Sequence, residues 1–395
     1  MTGRFTGRVP TLWHGQGITS QTVTRLISGR EAVVIADSSI SSSLPVGAST
    51  RVIEMDARTV NVDTVVRTAR EVVHRKPEVI VAVGGGTVLD ASKLSALALA
   101  RDRVFDFVVE RSSRSALTFI PDVPPPVDLV AVPTTLGTSS ETNSVGILKN
   151  ESGFRLVVGR SLRPRHAVID PCNLMTLSPA AVKEGTMEAF LRLAGASTSS
   201  RQSDRARDDA VALGRALLDA GTADSRSVAA RLRIARLSAA TQRAGALRGK
   251  DPYSARHWYI ANETAFVLGV RKMVASAAII AAVWRRICSG DPRWGDRGSL
   301  ERFWVRAADG TALPLDPSAG IATIIRRWGL TLPPRPTTGE MGRIAIAIER
   351  RWGDRLPMLP GLRAEDFSEL LRDSLWSPRR RYRTPTSDDL HRGGD

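Results

Sequence analysis

The sequence predicts an α/β N-terminal half built on a parallel sheet, followed by an all-α C-terminal half, with the change near Ser178–Pro179. Three observations predict this. Short β-branched runs alternate with helical stretches from about 31 to 180, the pattern of a parallel sheet covered by helices. A glycine-rich turn joins one of those runs to the helix after it. Beyond Pro179 the β-like runs stop and helical spacing takes over.

Taken in order, "EAVVIADSS" (31–39), "EVIVAVGGG" (78–86) and "VDLVAVPTT" (127–135) read as parallel strands buried on both faces. "VDTVVRTAREVVHRK" (62–76) places apolar residues at helical spacing, and "LDASKLSALALA" (89–100) is a second helix. The proline-rich stretch 111–128 reads as a connecting loop. In the second half, helices are expected over 208–221, 227–247, 273–284, 339–352 and 364–376. "GTMEAFLRLAG" (185–195) sets Glu188 and Arg192 on one helix face. The domains expected are therefore 1–178 and 179–395.

Composition narrows the function classes. The chain has 395 residues, a net charge of +16 and only six lysines among 56 basic residues. The arginines are scattered among acids, which reads as codon bias rather than a nucleic-acid face. Two cysteines, Cys172 and Cys288, cannot build a disulfide framework or a thiolate metal cluster. The longest apolar run, 273–284, is too short to span a bilayer, and "MTGRFTGRVP" lacks the apolar core of a signal peptide. The expectation is a cytoplasmic protein with no membrane or nucleic-acid partner, assembled as a homo-oligomer.

"VAVGGGTVLDASK" (81–93) runs from strand into helix. Glycines there permit a tight turn and close backbone approach, and the helix N-terminus offers free N–H groups to an anion. A tight turn without ligand is the alternative. The pattern is not G-x-G-x-x-G, so an ordinary Rossmann assignment does not follow. "AVPTTLGTSSE" (131–141) puts Thr134, Thr135, Thr138, Ser139 and Ser140 on a loop at a strand's carboxyl end, where α/β sheets bind ligands. The same residues could simply cap a helix. Asp37 ends an early strand, as a ribose-binding carboxylate or as a turn residue.

Together, "GGGTVLDASK" (84–93) and "PTTLGTSSE" (133–141) resemble the paired nucleotide motifs of the iron-containing alcohol dehydrogenase family, related to glycerol dehydrogenase and dehydroquinate synthase. "LRPRHAVIDPCNLMTLSP" (162–179) and "SPRRRYRTPTSDDL" (377–390) resemble further family segments. The resemblance implies a dehydroquinate-synthase-like fold with NAD or NADP in a cleft between the two domains. It implies that Gly84, Gly85, Gly86 and Thr87 hold the pyrophosphate, that Asp90, Thr134, Thr135 and Thr138 belong to the cofactor site, and that Asp37 favours NAD.

Such enzymes hold a metal on one Asp and three His. Here Glu188 stands at the Asp position, Arg192 at the first His position and Lys272 about where the last His falls, with His257 near the remaining one. The five histidines are His14, His74, His166, His257 and His391, so a three-His site in the helical half is impossible. The resemblance with this departure implies a metal-free member. Arg192 and Lys272 then supply the lost positive charge, Lys272 as proton acceptor and Arg192 as a carboxylate clamp held by Glu188. His257 orients the substrate or relays a proton. Alternatively, Glu188–Arg192 is a surface ion pair and His257 with Trp258 are core residues.

The function expected is oxidation of a hydroxyl with NAD(P), one form being that of a β-hydroxy acid such as a peptide's C-terminal Thr with ensuing decarboxylation, as in daptide-type peptide maturation. The alternatives are an NAD-dependent lyase or cyclase of the dehydroquinate-synthase type and a non-catalytic nucleotide-binding scaffold.

Overall fold

The computed structural model describes residues 9–40, 50–243 and 245–378. The first half carries β1 (Thr11–His14), α1 (Thr19–Ile27), β2 (Ala32–Asp37), β3 (Arg51–Met55), α2 (Val62–Arg75), β4 (Val79–Gly84) and α3 (Gly86–Ala96). It continues with α4 (Val104–Arg114), β5 (Leu117–Phe119), β6 (Asp128–Pro133), β7 (Val145–Asn150), β8 (Gly153–Val158) and β9 (His166–Ile169). Nine helices follow among the described residues. They are α5 (Pro179–Ala196), α6 (Asp204–Thr222), α7 (Val228–Arg243), α8 (His257–Leu268), α9 (Lys272–Cys288), α10 (Arg297–Ala307), α11 (Pro317–Arg327), α12 (Thr338–Trp352) and α13 (Ala364–Arg372).

Six strands form one parallel sheet in the order β1-β9-β6-β4-β2-β3. Its central strands are apolar throughout because helices cover both faces. Val33, Ile35, Ile80, Ala82, Leu129 and Ala131 point into the layer shared with α2, α3 and α4. Val34, Ala36, Val81, Val83, Val130 and Val132, one residue out of step, point to the layer shared with Trp13 and Val23. α2 begins where the Asn61 side chain accepts from the Thr64 N–H, and it buries Val65, Ala69 and Val72 at helical spacing.

In the second half, α9 is the central helix: every residue from Met273 to Trp284 is buried. Around it, the rings of Phe190, Trp284, Phe303 and Trp304 pack edge-on or tilted at 5.6–6.3 Å between centroids. An apolar helix of this length, encircled by other helices, is a core element.

Two expectations need correction. The stretch 111–128 is not all loop: it ends α4 and supplies β5. β5 pairs with β8, and β8 with β7, as a second, three-stranded sheet. The second helix also begins at Gly86 rather than 89, because the glycine turn itself is the helix start. Most of the 377–390 tail lies outside the described residues.

Candidate active site

The glycine turn and the threonine loop leave adjacent strands at the same sheet edge. Gly84 at the end of β4 is in register with Pro133 at the end of β6, and the Thr134 N–H donates to the Gly84 carbonyl at 3.0 Å. Asp37 ends β2, the other neighbour of β4, and accepts from the backbone and hydroxyl of Ser39 at 3.0 and 2.7 Å. Gly85 is the N-cap of α3, with no side chain capping the helix and no acid in its first turn. Its first N–H groups and dipole are thus available to an anion. The turn and loop press together: a Cβ on Gly86 would lie 2.7 Å from Thr138 Cγ2, and one on Gly85 would lie 3.0 Å from Thr135 Cγ2. Thr87 is exposed beside them.

Beneath the loop lies a buried polar hub. The Asp90 carboxylate accepts from Ser140 Oγ, from Lys93 Nζ at 2.9 Å and from the Ile147 N–H at 3.1 Å. Lys93 also donates to Asn143 Oδ1 at 2.8 Å and to the Ser140 carbonyl at 3.2 Å. Asp90, expected among the cofactor-binding residues, is instead committed to holding the loop from below. Glu141 is buried beside this hub. Burial pushes its carboxyl up to about 7, although its own backbone N–H, Arg192 and Lys93 pull the other way.

Helix α5 meets the loop through two glycines. Gly137 sits at φ +100°, and a Cβ there would lie 2.7 Å from the Gly185 carbonyl oxygen and 2.9 Å from Glu188 Oε2. One helical turn on, Arg192 Nη1 donates to Thr241 Oγ1 at 2.8 Å and to Ser139 Oγ at 3.2 Å. Its Nη2 donates to the carbonyls of Gly137 at 2.5 Å and Thr138 at 3.0 Å. The expected roles of Arg192 are thereby corrected. It is neither a solvated surface pair with Glu188 nor a carboxylate clamp, because both terminal nitrogens are bonded to the protein. Glu188 is half-buried and makes no hydrogen bond among the described residues. Burial raises its pKa, opposed by the charges of Arg192 and Lys272.

Lys272 opens α9 and is half-buried. Its ammonium stands 4.8 Å from the centroid of the Trp258 ring, with no hydrogen bond among the described residues. Burial lowers its pKa to about 8, against the attraction of Glu188 and Asp90 and with added repulsion from Arg192. His257, at the start of α8, is 3% exposed and its Nε2 has no hydrogen-bond partner among the described residues. Burial, then the Lys272 charge, drives its pKa down to about 3, so it is a neutral imidazole. Its ring lies 4.7 Å from that of Trp258.

These residues do not fit a resident divalent metal. Among the described residues no three His, Cys, Asp or Glu side chains come together. Arg192 and Lys272, two of the four residues at which the sequence resemblance implies ligands, are cations, and cations repel a metal ion.

Sequence reasoning named Ser139 as a loop hydroxyl or helix cap but not its bonds to Arg192 and Ser238, and it passed over Asn143, Thr241 and the loop-supporting part of Lys93. The D-x-x-K spacing on α3 carried a signal for Lys93, since i and i+3 share a helix face. Thr241 carried none; its role exists only once α7 packs beside α5.

Residues 12–171 match the family described as "Iron-containing alcohol dehydrogenase". The chain is 37% identical over 190 residues to phosphonoacetaldehyde reductase of Streptomyces viridochromogenes, covering 47% of this chain and 48% of that protein. It therefore spans about half the length of that relative. Two solved structures share the fold over nearly the whole chain. NADH-dependent butanol dehydrogenase A of Thermotoga maritima has a TM-score of 0.74 at 16% identity, covering 92% of this chain and 96% of that one. Sulfoacetaldehyde reductase of Bifidobacterium kashiwanohense, solved with NAD+, has a TM-score of 0.72 at 16% identity, covering 93% and 97%. The two motifs that meet at one sheet edge both lie within residues 12–171, the part of the chain that matches the iron-containing alcohol dehydrogenase family, and the fold of the whole chain is that of the solved structures.

Proposed function

We propose that this protein is an NAD(P)-dependent oxidoreductase that interconverts a hydroxyl and a carbonyl without a resident divalent metal, on a substrate bearing an anionic group near the reacting carbon. The observation that carries the reading is Lys272, whose ammonium is free of hydrogen bonds among the described residues and is tuned to about 8. At 192 and 272, where the resemblance implies metal ligands, the chain has Arg and Lys, and of these two Lys272 is the one whose side-chain donors are unused among the described residues.

The nicotinamide, when bound, supplies the hydride acceptor or donor. Gly85, Gly86 and Thr87 at the α3 N-terminus would hold its pyrophosphate, and Thr134, Thr135 and Thr138 would line it. Lys272 does the proton chemistry. In oxidation, the neutral amine takes the hydroxyl proton as two electrons leave carbon with the hydride. In reduction, the ammonium returns a proton to the oxygen. A group titrating near the working pH suits both directions. Glu188 keeps the ammonium form from being lost entirely, and the face of Trp258 gives it a second attraction without blocking its donors. His257, neutral and buried, orients Trp258 rather than taking the proton.

The proposed anionic group is one that the Lys272 ammonium attracts when protonated. It agrees with the name of the phosphonoacetaldehyde reductase relative, an aldehyde with an acidic group. The finer form of the proposal is a β-hydroxy acid, such as a peptide's C-terminal Thr. Its oxidation gives a β-keto acid, which loses CO₂ readily.

The test is turnover in both directions. NADH consumption is followed with phosphonoacetaldehyde, and NAD+ reduction with β-hydroxy acids and peptides ending in Ser or Thr, products being weighed by mass spectrometry for loss of CO₂. Lys272→Ala should lower kcat by roughly a hundredfold or more, the usual worth of a positioned acid–base group. Cofactor binding without turnover on any of these would favour the scaffold reading instead.

A further inference from the structure

The two halves of the protein touch at the 137–139 loop, and the side chains of Arg192 and Ser139 join them there. Arg192 projects from α5 and bonds three successive loop residues: the carbonyls of Gly137 and Thr138 and the hydroxyl of Ser139. The same guanidinium bonds Thr241 on α7. Ser139 is one of few non-glycine residues at positive φ, +51°, a backbone state that needs external support. Its hydroxyl, besides meeting Arg192, lies 2.9 Å from both the carbonyl and the hydroxyl of Ser238 on α7. Thr138, whose carbonyl Arg192 holds, is the residue that abuts Gly86 of the phosphate turn.

We propose that Arg192 is a positioning residue for the cofactor: it latches the 137–139 loop to α5 and α7, and its loss is felt in NAD(P) affinity rather than in the chemical step. The inference rests on the reading of this loop as cofactor-lining. A planar guanidinium suits the task because its fixed fork reaches several carbonyls at once, which an ammonium cannot reproduce.

The experiment is calorimetric titration of NAD+ and NADH into wild type, Arg192→Ala, Arg192→Lys and Thr241→Val, with amide hydrogen exchange of the 136–142 segment in cofactor-free protein. Arg192→Ala should weaken binding at least tenfold and speed exchange in that segment. Arg192→Lys should recover only part of the loss. Thr241→Val should give a smaller loss, and the double variant should bind no worse than Arg192→Ala, since both act through one guanidinium. In steady state, KM for the cofactor should rise with little change in KM for the substrate. A purely structural role would not split the two. Binding within twofold of wild type in Arg192→Ala overturns the proposal; should that variant fail to fold, unchanged binding in both Arg192→Lys and Thr241→Val does so. Unchanged exchange in Arg192→Ala refutes the latch alone, whereas a wild type that binds neither nucleotide refutes the reading of the loop.

Discussion

Lys272 and His257 show how burial sets chemistry residue by residue. Both are basic groups at helix starts, and burial disfavours the charged form of each. Lys272 has Glu188 and Asp90 to hold its charge and stays titratable near 8, while His257 has only the repulsive Lys272 and falls to about 3. His257 therefore bears on acid stability. Above its unfolded value of about 6.5 the imidazole is neutral in both states and contributes nothing to pH dependence. Below that the unfolded chain takes up a proton that the native state refuses, so stability is lost as pH falls, until about 3. His257→Phe should flatten that part of the curve, by up to about 1.4 kcal/mol per pH unit. Denaturant melts of both proteins from about pH 7 down to 4 check this. Parallel curves would mean that His257 titrates normally. The sequence exposed the identities at 188, 192, 257 and 272, but not their partners. Arg192 reads as half of an i,i+4 pair until the loop carbonyls arrive from 55 residues away.

At the scale of elements, the phosphate turn was legible because its glycines lie in one stretch between a strand and a helix. The joint between loop and helix was not, because it needs Gly137 and Gly185 from separate segments. Gly137 holds a left-handed backbone and leaves no room for a methyl group against the Gly185 carbonyl. Gly137→Ala should cost roughly 3 kcal/mol or more, the sum of backbone strain and overpacking. Thermal melts would show a lowered midpoint, and NAD(P) affinity should fall with it. A variant as stable as wild type would mean that the loop and α5 part easily. The β7–β8 hairpin carried a signal that was not read. That signal is only its run of apolar residues, because although burial alternates along β8, Arg155 lies on the buried face and Phe154 and Leu156 on the other.

Over the whole molecule, the parallel sheet and the helical half were legible because each depends on local period: apolar runs in β2, β4 and β6, helical spacing after Pro179. What joins them was not, since Arg192 on α5 donating to the Thr138 carbonyl at 3.0 Å, or Arg351 on α12 donating to the Ser152 carbonyl, are pairings across 54 and 199 residues. The central claim, a cleft in which a lysine rather than a metal handles the proton, concerns this joint. The measurement is the pH dependence of kcat for hydroxyl oxidation, from about pH 6 to 10, on chelator-treated wild type and Lys272→Arg. The account predicts activity that survives chelation, a wild-type profile rising through about 8, and no such inflection in Lys272→Arg, whose charge cannot be released in this range. Activity abolished by chelation and restored by added iron or zinc, with the inflection unmoved in Lys272→Arg, would contradict it.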